Sequence, residues 1–299
     1  MHLATLLDWT PEQIKEVIDF GIEVKKNPEK YATALHDKTL AMLFQKTSTR
    51  TRVSFETGMT QLGGHAIYLD WRTTNFTLGS LKDETICLAR WVDIIMARVY
   101  KHETIQEMCA NSKVPVINGL CDKFHPTQIL ADLMTFKEHK GKFKGCKMAY
   151  TGDGNNICNS LIIGCSKAGL KISVATPKGY APFEKAVAVG KKFGALELTN
   201  DPMEAVKGAD AIYTDTWVSM GQEAETEKRE KIFQAYQLNK KLWEAAGTKP
   251  LIMHDLPAHR GKEITDEMID HKNSVIYDQA ENRMHIEKAV MIKLLLEWK

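Results

Sequence analysis

The 299-residue chain has no apolar run near the ~18 residues needed to span a bilayer. Residues 1–8 have neither the basic start nor the long apolar stretch of a secretory signal, so the expectation is a cytoplasmic protein with no membrane partner. A net charge of +2 lacks the basic excess of a nucleic-acid-binding protein, and no nucleic acid is expected as a partner. The six cysteines (Cys87, Cys109, Cys121, Cys146, Cys158 and Cys165) include no Cys-x-x-Cys pair, which argues against a structural zinc site and for buried free thiols. No repeat period or low-complexity tract interrupts the chain. A dinucleotide fingerprint is incomplete as well. Gly152-Asp153-Gly154-Asn155-Asn156 holds its first two glycines, but Ile157 stands where the third is needed, so a nicotinamide site is rejected.

Hydrophobic residues make up 43% of the chain and charged residues 26%, the balance of a globular protein long enough for two domains. Short apolar runs alternate with helix-period segments. In the first half, residues 39–44, 66–69, 94–99 and 114–119 read as strands, with helices over 11–26, from about 52 to 63, from about 82, and over 126–139. Residues 70–81 read as a polar surface loop. The lysine- and glycine-rich stretch 140–145 reads as a boundary. The second half repeats the alternation, with strands over 147–151, 171–175, 211–215 and 250–254 and a closing helix over about 284–298, so that Asn282 and Arg283 stand at its start. The expected fold is α/β: two domains, each a parallel sheet flanked by helices, linked by interdomain helices. The boundaries drawn are 1–140, 141–283 and a C-terminal helix, 284–299, returning to the first domain.

The residues suited to chemistry lie just after predicted strands, where parallel sheets bind ligands. Lys46-Thr47-Ser48-Thr49-Arg50-Thr51-Arg52 sets hydroxyls and cations at the mouth of a helix. Backbone N–H groups there, with arginines facing the same point, make an anion site; a capped helix start with solvated charges is the plainer reading. Arg98 ends one strand and offers a second phosphate ligand or a salt-bridged edge residue. In His125-Pro126-Thr127-Gln128 the proline opens a helix and leaves His125 outside it, as a donor or general acid, with Gln128 one turn on. The amide-rich turn at 152–156 suits a carboxylate or an amine. Asp215 is either a partner for a cationic substrate group or a helix N-cap. His254-Asp255-Leu256-Pro257-Ala258-His259-Arg260 has no metal-ligand spacing, and Asp255 is a candidate proton acceptor.

Taken together, these segments resemble the aspartate/ornithine carbamoyltransferase family over nearly the whole chain. Ser48-Thr49-Arg50-Thr51-Arg52 is similar to the family's carbamoyl-phosphate loop, and His125-Pro126-Thr127-Gln128 to its second carbamoyl-phosphate motif. Asp215 with Ser219-Met220-Gly221 resembles the loop that recognises ornithine rather than aspartate, and Asn156 corresponds to the amide that holds the amino-acid end. The resemblance implies transfer of a carbamoyl group from carbamoyl phosphate to the δ-amine of L-ornithine. A different amine, such as putrescine or a modified ornithine, and a non-catalytic carbamoyl-phosphate binder are the alternatives. It implies no metal and no organic cofactor, and a homotrimer or a multiple of trimers. On the resemblance, Arg50, Arg98, His125 and Asp255 are the catalytic candidates. Ser48, Thr49, Arg50, Thr51, Arg98, His125, Gln128, Leu256 and Arg283 are assigned to carbamoyl phosphate, and Asn156, Asp215, Ser219 and Met220 to ornithine.

Two departures carry expectations of their own. Ornithine-directed members usually read His-Cys-Leu-Pro where this chain reads His254-Asp255-Leu256-Pro257. An aspartate there sets an anion near a phosphate-bearing ligand, which calls for an arginine such as Arg283, and it offers a proton acceptor to the attacking amine. Thr77 stands where the family often has a glutamine that reaches the neighbouring subunit, so that cross-subunit contact is expected to be weak or lost.

Overall fold

Residues Thr39–Phe44 are apolar after the first position and form β1, buried from Leu40 onward. In the computed structural model, which describes residues 1–218 and 223–298, β1 is flanked by β2 (His65–Asp70) and β3 (Ile94–Arg98), and β3 by β4 (Val116–Leu120). All of these pairings are parallel, giving the order β2-β1-β3-β4. Continuous rather than alternating burial of β1 and β3 is the mark of a parallel sheet covered on both faces. Edge strand β2 shows only partial burial.

The second sheet comprises β5 (Lys147–Thr151), β6 (Lys171–Ala175), β7 (Leu196–Thr199), β8 (Ala211–Thr214) and β9 (Leu251–Met253), again parallel, in the order β7-β6-β5-β8-β9. The helix Asn156–Ala168 that follows β5 is buried from Ile157 to Ala168, as an apolar helix lying against a sheet must be. The expected α/β class with two parallel sheets is therefore present. The chain divides into one unit of Met1–Met134 with Glu281–Lys299 and another of Thr135–Ala280; both divisions fall inside helices, Pro126–Lys140 and Ile276–Ile292.

Each sheet has one place where the strand order turns back. In the first it lies between β1 and β3, and in the second between β5 and β8. Adjacent connections leave in opposite directions at such a point and open a crevice at the strand carboxyl ends. Ser48 to Arg50 and Arg98 follow the first switch point; Asp153 to Asn156 and Asp215 follow the second.

Several elements escaped the sequence reading, among them the helices His102–Asn111 and Thr226–Phe233 and strand β7. The helix His102–Asn111 buries only His102, Ile105 and Met108, too sparse a stripe to stand out. Strand β7 is a half-exposed edge with two apolar residues. The closing helix needs correction. It begins at Ile276, so Asn282 and Arg283 lie well inside it, not at its start. Polar Asp278, Gln279 and Glu281 in its first turns hid that beginning. Residues 70–81 are not irregular throughout: they contain short 3-10 turns, Trp71–Thr73 and Asn75–Thr77, tied by Trp71 and Phe76 rings 4.8 Å apart.

Candidate active site

In the first unit, Ser48 caps the helix Thr49–Gln61 by accepting the Thr51 N–H at 3.2 Å. That helix has no acidic residue in its first turn, so its positive end is not neutralised by its own sequence. Thr51 is buried and acts as a hub. Its hydroxyl oxygen lies 3.5 Å from Nη1 of Arg98, 3.4 Å from Nη2 of Arg283 and 3.2 Å from the Ser48 hydroxyl. Arg98 arrives from the end of β3 and Arg283 from the closing helix; both are buried. Arg283 also donates to Oε1 of Gln128 at 2.7 Å, and Gln128 in turn donates to Asp132 at 2.9 Å. His125, buried just before the helix Pro126–Lys140, completes the group.

The electrostatics of this cluster are one-sided. Burial pushes the His125 pKa well below its usual value, and Arg283, Arg98 and Arg50 push it further, so the imidazole stays neutral at physiological pH. Three guanidiniums thus act on one uncharged ring. The buried Glu287 meets Arg283 through Oε1, 3.1 Å from Nε and 2.8 Å from Nη2. Burial raises that carboxyl to about 7 even against Arg283. A cationic cluster at a helix N-terminus, with an uncharged ring beside it, can hold a small anion.

Arg52 corrects part of the sequence reading. It does not face the same point as Arg50: its Nε pairs with Glu56 at 3.1 Å and its guanidinium lies 4.0 Å from the Tyr68 ring centroid. It lines, with Thr47, Ser48, Thr49, Val53 and Tyr68, an open pocket of about 870 Å³ on the flank of the helix.

In the second unit, the turn after β5 carries the chemistry. Gly152 has φ 143°, a backbone that favours glycine, and a Cβ on Gly154 would meet the Tyr180 carbonyl oxygen at 2.4 Å. Asn155, rather than Asn156, caps the following helix: its Oδ1 accepts Ile157 N–H at 3.0 Å and Cys158 N–H at 3.1 Å. Its amide nitrogen then donates to Oδ2 of Asp215 at 2.6 Å. Asp215 is not a helix cap; it is buried after β8, and its Oδ1 accepts the Thr216 N–H at 2.6 Å. Asn156 is the first residue of the helix.

Asp153, overlooked in the sequence, is buried against Arg229, whose guanidinium lies 4.9 Å from the Tyr180 ring centroid and 5.1 Å from that of Phe233. Burial raises Asp153 to about 6 despite that partner. Arg229 also donates to the Trp217 carbonyl at 2.5 Å. Ser219, Met220 and Gly221 lie outside the described residues.

Asp255 and Leu256 follow β9, with Leu256 at φ 60° ahead of a cis bond to Pro257. Ligand atoms of Asp215, His254 and Asp255 lie within 4.8 Å of one another. This is a poor metal site, because both ring nitrogens of His254 are engaged: Nδ1 accepts the Leu256 N–H at 2.8 Å and Nε2 faces Glu263 at 3.1 Å. Asp153, Asn155, Arg229, Glu263 and Glu287 all went unflagged. Glu287 and Glu263 lie four residues after Arg283 and His259, a helix-surface spacing that sequence alone reads as solvated.

A cationic cluster at one switch point and an acidic, amide-lined turn at the other place this chain among the two-domain α/β proteins with polar sites at the strand carboxyl ends. Comparison with known proteins gives the particular family. A model for the carbamoyl-phosphate-binding domain of aspartate/ornithine carbamoyltransferase matches residues 1–138, and one for its aspartate/ornithine-binding domain matches residues 144–294. An ornithine carbamoyltransferase of Methanocaldococcus jannaschii is 49% identical over the full length of both chains. An anabolic ornithine carbamoyltransferase of Pyrococcus furiosus is also 49% identical, over 97% of this chain and 94% of the relative. The solved structure of ornithine carbamoyltransferase from Pyrococcus furiosus superposes with a TM-score of 0.94 at 48% identity, covering 100% of this chain and 97% of the other; that from Thermus thermophilus gives 0.90 at 41%, covering 98% of each. The chain belongs to the aspartate/ornithine carbamoyltransferase family.

Proposed function

We propose that the chain transfers the carbamoyl group of carbamoyl phosphate to the δ-amine of L-ornithine, giving L-citrulline and phosphate. The observation that carries the donor half is the convergence of Arg98 and Arg283 on the Thr51 hydroxyl beside a neutral His125. Guanidiniums set around one hydroxyl suit the dianionic phosphate of the donor, because their planar forks give paired hydrogen bonds to phosphate oxygens. Ser48, Thr49, Arg50, Thr51 and Arg283 hold that phosphate, with Gln128 and Leu256 beside the carbamoyl group. Arg98 and the N–H of His125 polarise the carbamoyl oxygen, where charge collects as the amine adds. In the second unit, Asn156 and Asp215 hold ornithine, together with Ser219 and Met220.

The reacting amine must be neutral, yet a free alkylamine titrates at about 10. Asp255 takes the proton as the new C–N bond forms, and the C–O bond to phosphate then breaks. The working form is a cytoplasmic homotrimer or a multiple of trimers, running towards citrulline as in the relative named anabolic. The test is a phosphate-release assay with carbamoyl phosphate and a panel of amines: L-ornithine, putrescine and modified ornithines. Ornithine is expected to be turned over fastest, and the product should be citrulline. Binding of both ligands by calorimetry without phosphate release, or preference for putrescine, refutes the proposal.

A further inference from the structure

His254 follows β9 directly and is wholly buried. Its ring nitrogens have different partners. The Leu256 N–H donates to Nδ1 at 2.8 Å, so Nδ1 presents a lone pair and the ring proton sits on Nε2. Nε2 points at Oε1 of Glu263, 3.1 Å away. Glu263 is itself buried, and the same oxygen accepts the His259 backbone N–H at 2.5 Å. The His254 backbone N–H donates to Gln279 at 2.9 Å, so ring and backbone are both tied. Leu256 has φ 60°, a left-handed conformation unfavourable for a residue with a Cβ, and the bond to Nδ1 holds its N–H in that position. Asp255 sits between the two fixed residues, with Oδ1 3.5 Å from Nδ1 of His254.

We propose that Glu263 is a positioning residue for the Asp255–Leu256 turn: through the His254 tautomer it fixes the direction in which Asp255 presents its carboxylate. The inference rests on the role given above to Asp255 in carbamoyl transfer. Glu263 touches no substrate. It acts by keeping the ring proton on Nε2, because a carboxylate has no proton of its own to offer that nitrogen, and its charge strengthens Nδ1 as an acceptor. A glutamine of the same shape lacks the charge, and its amide can turn a donor towards Nε2 and invert the tautomer.

Two measurements decide the matter. The first is nitrogen NMR of the histidine-labelled wild-type protein, with His254 assigned by its loss in a His254→Asn variant. A ring protonated on Nε2 and bare on Nδ1 is expected; a ring protonated on Nδ1 overturns the proposal whether or not any variant folds. The second is Glu263→Gln, checked for folding by circular dichroism. A mixture of tautomers is expected, with kcat lowered roughly tenfold or more and KM for carbamoyl phosphate changed by less than about twofold. A folded variant with normal kcat, or one that loses kcat while its tautomer stays intact, overturns it. If the wild-type protein makes no citrulline, the functional reading fails, while the tautomers of the two proteins still report whether Glu263 sets the turn.

Discussion

Replacing Glu287 with glutamine changes how stability responds to pH more than it changes stability itself. Glu287 is fully buried against Arg283, and burial lifts its carboxyl from 4.5 to about 7, with the Arg283 charge and the Ser54 hydroxyl pulling the other way. The folded chain therefore keeps a proton between those values that the unfolded chain has released. Stability contributed by this group falls as pH rises through that window, by about 3 kcal/mol in full at about 1.4 kcal/mol per pH unit. Glutamine is neutral throughout and removes the slope. At the acid end of the range Glu287 is itself protonated, so there the swap exchanges one neutral hydrogen-bonding group for another, and that offset does not vary with pH; slope and offset therefore separate. Urea unfolding of both proteins at several values between about pH 5 and pH 8 should show the variant gaining on the wild type by roughly 2 to 3 kcal/mol across the range. Parallel curves would refute the assignment. A second readout follows from the proposed donor site. A dianion on Arg283 lifts Glu287 further, so wild-type binding of carbamoyl phosphate near pH 7 takes up protons and Glu287→Gln binding takes up fewer. Calorimetry in buffers of different ionisation enthalpy measures the difference.

Arg50→Ala is expected to lower kcat/KM for carbamoyl phosphate roughly a hundredfold, the effect of losing one transition-state donor, with the urea midpoint unchanged; normal turnover counts against the donor site. His125 is held neutral by burial and by Arg283, Arg98 and Arg50, so the folded ring gains its proton only well below 6.5 while the unfolded ring gains it there. Its contribution to stability is complete above that value and is lost as pH falls, and nitrogen NMR should find the ring uncharged at about pH 6. Gly154→Ala drives a Cβ against the Tyr180 carbonyl oxygen, and backbone cannot step aside as a flexible side chain can. The variant should lose about 2 kcal/mol in urea unfolding and bind ornithine more weakly; a wild-type midpoint would show that the turn has room.

The fold was legible because parallel strands buried on both faces read as short apolar runs, and because the polar residues of interest stand directly after them. Burial pattern and site therefore came from the same signal: β1 ends before Ser48, β3 ends at Arg98, β8 ends before Asp215. What failed was direction. Two residues along a helix turn the side chain by about 200°, so Arg50 and Arg52 had to face opposite ways once the helix began at Thr49. Placing that start one residue differently decides which arginine shares a face with Thr51's neighbours and which turns to Glu56 and Tyr68. At the second switch point the cap is Asn155, the amide that stands just outside the helix.

Buried acids were illegible for a different reason. Arg283 and Glu287 at a spacing of four are, on sequence, one more solvated pair worth a few tenths of a kcal/mol. Buried, the same pair becomes a proton-binding group near neutrality and a clamp on an arginine that also holds Gln128 and Thr51. Nothing in the residue types or their spacing separates the two cases. The difference is water: Glu287 is wholly buried in a closing helix that begins at Ile276 and whose Ile286, Ala289 and Val290 are buried as well. A carboxylate's worth to the site is thus set by its neighbours' apolar volume as much as by its charged partner. For that reason the pH dependence of Glu287→Gln tests the helix packing and the donor pocket together.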